Sequence, residues 1–331
     1  MKKDPLSIIE AAYAVDRPLD AWLGGVLENL ADATGEGLGV WAVLYDARDA
    51  ANLKFEHMAF HQIDPLHQEL LKGGAETLSA RTVEKTFVNG TCGTLSENLG
   101  PSFRRNNPIA RAVKETFGVG DSIGMNAMDP TLRGCMLSVP IADPRSTTPG
   151  FRARWSRVVA HVAAAHRLRR QLEAATPSLL EGAEAVLDPD GGLQHAEGEA
   201  RDAGAREALR SAAVAIDRLR TRAGRDADDA VEGWKGLVNG RWSLVDHFER
   251  DGRRYFVARR NDPRVEPGAL TLRELQIAGF AALGHSNKLI AYEMGLSEST
   301  VATHLMRAAR KLGLRSRAGL IRHFRALRSR Q

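Results

Sequence analysis

The sequence predicts an α+β protein, in which a mixed part with strands and helices precedes an all-helical C-terminal domain of four helices. Three observations predict this class. Strand-like apolar runs occur in the first 260 residues, start and stop signals of four short helices follow residue 270, and 331 residues exceed one ordinary domain. Hydrophobic residues make up 43% and charged residues 26% of the chain, as in folded proteins. We expect domains at residues 15–172, 173–262 and 263–331.

The first domain is predicted to begin with an amphipathic helix. The apolar residues of this helix recur at the spacing of one helical face; they are Leu19, Trp22, Leu23, Val26, Leu27 and Leu30. Residues 37–47 and 52–60 are predicted to be strands, residues 134–144 a third strand, and a closing helix begins near Phe151. The glycine-containing stretch 88–108 is the candidate pocket loop, because loops carried by a rigid sheet often form binding sites.

This order of elements, with an irregular middle before the third strand, resembles that of a GAF sensor domain over residues 19–172. The resemblance implies a small-molecule ligand between the sheet and its covering loops, but the ligand is unknown from the sequence and no cofactor is expected. Cys92 is a candidate redox sensor only if Arg104 or Arg105 lowers its pKa; an ordinary buried thiol is the favoured interpretation. His57, His61 and His67 lack the further ligands of a metal site.

The second domain is predicted to contain a hairpin at each end and a helix between them. Residues 183–198 are predicted to form strand, turn and strand, residues 204–220 a helix, and residues 241–263 a hairpin that turns at Asp251 and Gly252. This arrangement resembles a small PAS-like domain, and a divergent connector is the alternative. Residues 222–230 are predicted to be a surface loop, and residues 261–269 a linker.

Four short helices are predicted after residue 270. Thr271 and Glu274 form a capping box for a helix over residues 272–283, whose inward face includes Ile277 and Ala281. Ser286 caps a second helix, which ends at the corner marked by Gly295.

Ser297 caps the third helix, in which Val301, Leu305, Ala308 and Leu312 are predicted to face inward. Gly313 ends that helix, and Ser316 caps a fourth with Leu320, Ile321 and Phe324 as its inner stripe.

Basic charge is concentrated in these helices. From Leu270 onward there are eleven Lys and Arg against three Glu, a net charge of +8, so the remaining residues carry −3 of the chain's formal net charge of +5. A compact basic module on a slightly acidic body is typical of a polyanion-binding protein, because Lys and Arg that neutralise phosphates release condensed counterions. Two helices joined at a glycine corner, the second with small and basic exposed residues, form a helix-turn-helix that fits the major groove of double-stranded DNA.

Residues 270–320 resemble the DNA-binding domain of the LuxR/FixJ family of bacterial transcription regulators. The resemblance rests on "LTLRE", "GHSNKLIA", "GLSESTV", His304-Leu305 and "KLGL" followed by Arg317 and Leu320. It implies base-facing positions at Ala302, Thr303 and Met306 with Arg307 close by, and phosphate or scaffold positions at Ser286, Asn287, Lys288, Thr300, His304 and Lys311. Ser297, Ser299 and Arg310 complete the predicted DNA-binding set.

The chain departs from the family where Ala302 and Met306 stand at positions that are basic in many members. Apolar side chains can contact the thymine methyl group, so we expect a DNA target read more by such contacts than by Arg–guanine pairs. A homodimer would place two third helices in successive major grooves.

Two other classes of protein were weighed against this interpretation. A sigma-type initiation factor, with RNA polymerase as its partner, also ends in a helix-turn-helix but needs an upstream helical domain. An enzyme is disfavoured because no P-loop, nucleophile elbow or acid dyad occurs. The start of the sequence lacks an apolar signal-peptide core and no run of about 18 apolar residues exists, so a cytoplasmic protein without a membrane partner is expected.

Overall fold

The chain was analysed as a computed structural model. The structure describes residues 5–48, 53–75, 78–88, 92–174, 183–219, 242–248, 254–260 and 270–328. These residues form one antiparallel sheet in the N-terminal region, a second antiparallel sheet in the middle region and a set of helices at the C-terminal end. The predicted α+β class is therefore confirmed.

The N-terminal region surrounds a five-stranded sheet with the strand order β2-β1-β5-β4-β3. All neighbouring strands in it are antiparallel. The elements in chain order are α1 (Leu6–Ala12), α2 (Leu19–Thr34), β1 (Val40–Asp46), β2 (Lys54–His61), α3 (Pro65–Ala75), α4 (Ala80–Val83), a π-helical turn (Glu84–Val88), β3 (Cys92–Thr94), α5 (Leu95–Leu99), α6 (Pro101–Asn106), α7 (Pro108–Phe117), β4 (Asp121–Met128), β5 (Arg133–Ile141) and α8 (Pro149–Ala174).

Helix α2 has the predicted apolar stripe, and that stripe is in the core. Trp22, Leu23, Val26, Leu27 and Leu30 are all fully buried. The helix packs against β1, β2 and β5, and Asp20 at its start lies 2.9 Å from His57 Nε2 on β2. Since His57 pairs with Leu44 of β1, α2 covers the face of the sheet to which Leu44 belongs.

The other face of the sheet carries Trp41, Val43 and Tyr45, which pair in register with Ser138, Met136 and Gly134 of β5. The short helices between β2 and β4 cover this face. An irregular middle with a pocket loop over residues 88–108 is the expectation for this part of the chain. The described residues form a strand and short helices instead, but Leu95, Asn98, Phe103 and Asn107 line a cavity, as expected of a pocket segment.

Residues 92–94 form strand β3, and helices α5 and α6 follow. Two of the short helices begin at a side-chain cap: Thr94 and Glu97 form a capping box on α5, and Asn107 Oδ1 accepts from the Ala110 amide at the start of α7. Helices this short present too few turns for the apolar spacing to be recognised. Strand β4 and helix α1 were also missed.

Tyr45 and Gly134 lie very close together in this sheet. A Cβ at Gly134 would lie 2.5 Å from the Tyr45 hydroxyl oxygen, so only glycine fits opposite this ring. The Tyr45 hydroxyl donates to the Phe87 carbonyl oxygen at 3.1 Å, and Asn126 Nδ2 donates to the same oxygen at 2.7 Å. These bonds attach the π-helical turn to β1 and β4.

The middle region contains a four-stranded antiparallel sheet with the strand order β7-β6-β9-β8. Its elements are β6 (Ala183–Leu187), β7 (Leu193–Ala196), a 3-10 turn (Gly198–Arg201), α9 (Ala203–Leu219), β8 (Trp242–Phe248) and β9 (Arg254–Arg260). The first hairpin, the helix and the pairing of β8 with β9 agree with the prediction. The predicted turn at Asp251 and Gly252, the loop 222–230 and the linker 261–269 lie outside the described residues.

The C-terminal region contains α10 (Leu272–Ala282), α11 (Asn287–Met294), α12 (Glu298–Lys311) and α13 (Arg317–Arg328). The chain divides into two compact units. One of the boundaries between them follows His166 and lies inside α8. Among the described residues no helix combines the length and apolar character needed to cross a membrane. The sigma-type alternative predicted a helical domain upstream of the C-terminal helices, whereas the described upstream residues contain two sheets.

Candidate nucleic-acid interface

Helix α10 begins at the predicted capping box of Thr271 and Glu274. The Thr271 amide donates to Glu274 Oε2 at 2.8 Å, and the Glu274 amide donates to the Thr271 hydroxyl at 3.3 Å. This reciprocal pair satisfies two amides that the helix leaves without intrahelical acceptors. Ile277 and Ala281 are fully buried, so the predicted inward face is confirmed.

The corner between α11 and α12 follows the predicted cap signals. The Leu289 amide donates to the Ser286 hydroxyl at 3.1 Å at the start of α11. Gly295 ends that helix in the left-handed region, at φ +64°, and the Leu296 amide then donates back to the Ala291 carbonyl at 2.9 Å. The left-handed region costs glycine little, so the chain turns sharply into the next helix.

Helix α12 is amphipathic in the way that the sequence predicts, with one exception. The Thr300 amide donates to the Ser297 hydroxyl at 3.1 Å, and this bond caps the helix. Val301, Leu305 and Ala308 are buried. Leu312, also predicted to face inward, follows the last helical residue as the C-cap and is only half-buried.

The outer face of α12 consists of one row of exposed side chains. Met306 has 67% of its surface exposed, and among the described residues Leu66 is the other large apolar side chain that is exposed. Ala302, Arg307 and Arg310 are also exposed. Exposed apolar and cationic groups side by side suit a partner with both an apolar and an anionic surface, which the DNA major groove provides in its thymine methyl groups and phosphates.

Among the remaining predicted positions, Thr300, Thr303 and His304 are half-buried, whereas Ser297 and Ser299 are exposed. The Thr303 hydroxyl donates to the Ser299 carbonyl at 2.9 Å within the helix. His304 is half-buried, and burial, together with the positive charges of Arg273 and Arg307, lowers its pKa. A neutral imidazole is therefore the prevailing form of His304 at neutral pH. The Ser297 hydroxyl lies 2.8 Å from the hydroxyls of both Ser299 and Thr300.

Lys311 is held by an ion pair inside the domain. Its Nζ donates to Glu274 Oε2 at 2.7 Å, with Glu274 only 4% exposed. Burial raises the pKa of Glu274, but the hydrogen bonds from Lys311 and Thr271 outweigh it and the pKa is lowered overall. The pair joins the first turn of α10 to the last turn of α12 and so holds α12 against α10.

The start of α11 offers a second group of predicted positions. Ser286 and Lys288 are exposed and Asn287 is half-buried. Arg317 at the start of α13 donates to the Asn287 side-chain oxygen and, at 2.7 Å, to the His285 carbonyl. Lys288 thus presents its charge to solvent, while Asn287 contributes to the domain's internal contacts.

Buried polar contacts stabilise the interior of the domain. His285 Nδ1 lies 2.9 Å from Glu293 Oε2, and both side chains are buried. Arg273 donates to the Met294 carbonyl at 3.0 Å. Local spacing does not distinguish a buried His–Glu pair from exposed residues, so these contacts could not be predicted from the sequence.

The other candidate sites of the sequence analysis lie in the N-terminal region. Burial raises the pKa of Cys92 to about 12, and the nearby charge of Arg152 lowers it less, so the redox hypothesis, which needs a lowered pKa, is not supported. Cys92 is a buried free thiol, as predicted, and so is Cys135. In the part of the chain that the structure describes, no group of three or more His, Cys, Asp or Glu side chains could hold a metal ion.

Comparison with known proteins places the C-terminal helices in a family. Residues 268–324 match the family described as bacterial regulatory proteins, luxR family. The transcriptional regulatory protein MctR of Rhizobium johnstonii is 45% identical over 62 residues, which cover 18% of this chain and 29% of MctR. The chain therefore spans less than a third of that relative's length.

Two solved structures of SdiA are also similar. The crystal structure of Escherichia coli SdiA in space group P6522 has a TM-score of 0.38 and 12% identity, over 98% of this chain and 97% of that chain. SdiA in complex with octanoyl-rac-glycerol has a TM-score of 0.36 and 11% identity, over 97% and 94% of the two chains. The family match and the caps, corner and buried stripe described above agree, so residues 268–324 are a luxR-type helix-turn-helix domain.

Proposed function

We propose that the protein is a DNA-binding transcription regulator that places α12 in the DNA major groove. The observation that carries the proposal is the exposed row on α12, in which Ala302, Met306, Arg307 and Arg310 project from a helix whose other side is buried. A helix with its side chains is about 10–12 Å across and the major groove is about 12 Å wide. The match of the luxR family to residues 268–324 supports the same function.

Within this proposal the residues divide into two roles. Ala302, Thr303 and Met306 face the base edges, with Arg307 beside them, and Lys288 and Ser286 at the start of α11 contact phosphates. The exposure of Met306 supports a base contact of the thymine-methyl type. The remaining predicted positions, Asn287, Ser297, Ser299, Thr300, His304, Arg310 and Lys311, contact phosphates or orient the helix. The ion pair of Lys311 with Glu274 supports the orienting role for that residue.

The regulator acts as a homodimer in this proposal. Two copies of α12 would enter successive major grooves about 34 Å apart on a pseudo-palindromic site. Helix α13 or the end of α8 would supply the dimer contact. RNA polymerase is the expected partner of a bound regulator, and the GAF-like N-terminal region with the PAS-like middle region would control binding.

A test of the assignment is the salt dependence of DNA binding by the full chain, measured on a selected site and on a scrambled one. Lys288→Ala should weaken both complexes alike and reduce the slope of log K against log salt by about one, because one phosphate contact is lost. Lys114→Ala, which removes an exposed charge from α7, is the matched control and should leave the slope unchanged. Equal effects of the two variants, or a change of sequence preference in Lys288→Ala, would contradict the assigned role of Lys288.

A further inference from the structure

The N-terminal sheet and the short helices over one of its faces surround a cavity of about 210 Å³, which contains none of the residues proposed to contact DNA. Helices α3 and α7 supply walls, and the floor is the sheet face whose residues include Trp41, Val43, Met136 and Ser138. Apolar side chains form most of the lining. A cavity that is mostly apolar and has a few polar groups is the usual form of a small-molecule site.

The floor of the cavity has space because its central residues are small. Gly124 of β4 pairs with Ser138 of β5 on one side and with Gly93 of β3 on the other. A Cβ at Gly124 would meet Met136 Sδ at 3.5 Å and the Gly93 carbonyl oxygen at 3.8 Å, which are ordinary contacts. The backbone therefore accepts a side chain at this position. Since glycine weakens a strand interior, its effect at Gly124 is to leave room above the sheet.

The size and the lining of the cavity suit a single aromatic ring. An apolar cavity of about 150 Å³ is enough to bind benzene, so this larger cavity can hold a ring that carries a few further atoms. Aromatic rings and thioethers, which pack well against an aromatic ligand, are prominent in the lining; they are Trp41, Phe55, Met58, Phe87, Phe103 and Met136.

The lining offers no positive charge. No Lys or Arg occurs among the described residues that border the cavity. The ring of His67 is buried and stacks on Phe117 with ring centroids 4.8 Å apart, and its burial lowers the pKa of His67. His67 is therefore neutral at pH 7. An anionic ligand would lose its hydration in this cavity without gaining a cationic partner.

Among the described residues of the lining, Asp121 is the one acidic residue, and it faces away from the floor. Asp121 pairs with Ile141, whereas Gly124 pairs with Ser138. Because successive residues of a strand point to opposite faces of the sheet, Asp121 lies on the face opposite to Gly124 and Ser138. Its Oδ1 also accepts from the Ser122 amide at 2.8 Å. The floor of the cavity is therefore uncharged.

Ser138 supplies a hydroxyl group on this floor. It is 4% exposed and lies between Trp41 and Gly124, its partners on the neighbouring strands. Within the part of the chain that the structure describes, the Ser138 hydroxyl forms no hydrogen bond. A buried hydroxyl normally has a partner, and leaving it without one costs free energy. Since a hydroxyl both donates and accepts, one polar group of a ligand is enough to satisfy it.

We propose that this cavity binds an uncharged small molecule with one aromatic ring, whose single polar group hydrogen-bonds to the Ser138 hydroxyl. The ring lies over Gly124, between the aromatic and thioether side chains. The inference deepens the proposed function, because it names the class of signal that the N-terminal region receives, and it rests on that function only for the regulatory role of the ligand.

The first test compares an uncharged probe with an anionic one on the full chain. Benzyl alcohol has one ring and one hydroxyl, and benzoate has a carboxylate in the same place. Titration calorimetry at neutral pH should show saturable binding of benzyl alcohol that is at least about tenfold tighter than that of benzoate, because the carboxylate would lose its hydration. No saturable binding of benzyl alcohol at millimolar concentration, or equal affinity for the two compounds, would overturn the proposal.

The second test removes the polar group of the floor. Ser138→Ala should weaken the binding of benzyl alcohol by about threefold or more, because one hydrogen bond is lost. Ethylbenzene, which has a methyl group in place of the hydroxyl, is the control compound, and its affinity should not fall in this variant. An unchanged affinity for benzyl alcohol, or an equal loss for both compounds, would refute the hydrogen bond to Ser138.

The third test fills the space over the floor. Gly124→Val should remove the binding of benzyl alcohol and of ethylbenzene and should keep a cooperative melting transition, since valine suits a strand interior. Gly73→Val, at an exposed position of α3 where a Cβ meets nothing within 4 Å, is the matched control and should bind both compounds normally. Binding retained by a folded Gly124→Val would refute the proposed location. Ser138→Ala adds no atoms and decides the location if Gly124→Val does not fold.

DNA affinity, measured on the same preparations without any compound, separates this proposal from the proposed function. Absence of specific DNA binding together with intact binding of benzyl alcohol would contradict the proposed function alone. Specific DNA binding without any binding of benzyl alcohol would contradict the cavity proposal alone.

Discussion

The candidate functional side chains of α12 are exposed on the surface of their domain, whereas those of the N-terminal sheet surround a cavity. On α12 the side chains proposed to contact DNA point away from a filled core, and Met306 is 67% exposed while Val301 on the other side is fully buried. On the sheet, side chains such as Trp41, Phe55 and Met136 line a cavity of about 210 Å³. Function and stability should therefore be separable on the helix and coupled on the sheet.

The largest effect of a single substitution on stability is expected on the buried side of α12. Leu305 is 4% exposed, and Leu305→Ala should destabilise the C-terminal domain by about 3 kcal/mol through lost burial and a cavity. Hydrogen exchange of the α10–α12 amides measures this loss. Specific and scrambled DNA should both bind more weakly. Unchanged protection of these amides would show that this side of α12 does not support the domain.

Lowering the pH should destabilise the N-terminal region, because a buried histidine, His161, resists protonation in the folded state. Burial lowers the pKa of His161 to about 3 from its ordinary value of 6.5, so below pH 6.5 the unfolded chain binds a proton that the folded chain excludes. Stability should fall as the pH drops from 6.5 towards 3, by up to about 1.4 kcal/mol per pH unit. Urea unfolding at a series of pH values, followed by tryptophan fluorescence, tests this. His161→Leu should flatten the dependence, and an equally steep curve in that variant would assign it to other groups.

The C-terminal domain should lose stability at a lower pH than the N-terminal region does. Glu274 has a lowered native pKa, below its ordinary value of 4.5, so the stability that its ion pair contributes is present at neutral pH and is lost as the pH falls below about 4.5. Glu274→Gln should cost about 1 kcal/mol at pH 7. Lys311→Met should cost a similar amount, and the double variant should cost less than the sum. Full additivity would show that the two residues act independently.

The smallest effect on stability is expected on the exposed side of α12. Met306→Ala should change the unfolding free energy by no more than about 0.5 kcal/mol. It should nevertheless relax the preference at one base pair of the selected site, at a cost of about 1–3 kcal/mol there. Binding-site selection with the variant measures this change. Uniform weakening on all sequences would remove Met306 from the base-facing set.

The C-terminal helices could be predicted from the sequence more accurately than the N-terminal cavity, and the reason is physical. The helices of the C-terminal domain are determined by contacts within a few residues, such as the Thr271–Glu274 capping box, so their limits could be predicted to within one or two residues. The cavity depends on residues such as Trp41 and Ser138, which are distant in sequence and meet only through strand register. No local spacing signals an empty space between them.

The internal bonds of the C-terminal domain limit how an upstream signal could act on it. Glu274 with Lys311, Arg273 with the Met294 carbonyl and Arg317 with the His285 carbonyl fasten α10, α11, α12 and the start of α13 to one another. Of these bonds, the one between Lys311 and Glu274 holds α12. Moving α12 out of place would break it and would also expose Val301, Leu305 and Ala308, which are buried. We therefore expect a signal to change how often the intact domain is available to DNA, by covering it or by setting the distance between two copies, so that regulation appears as an altered association rate with an unaltered sequence preference.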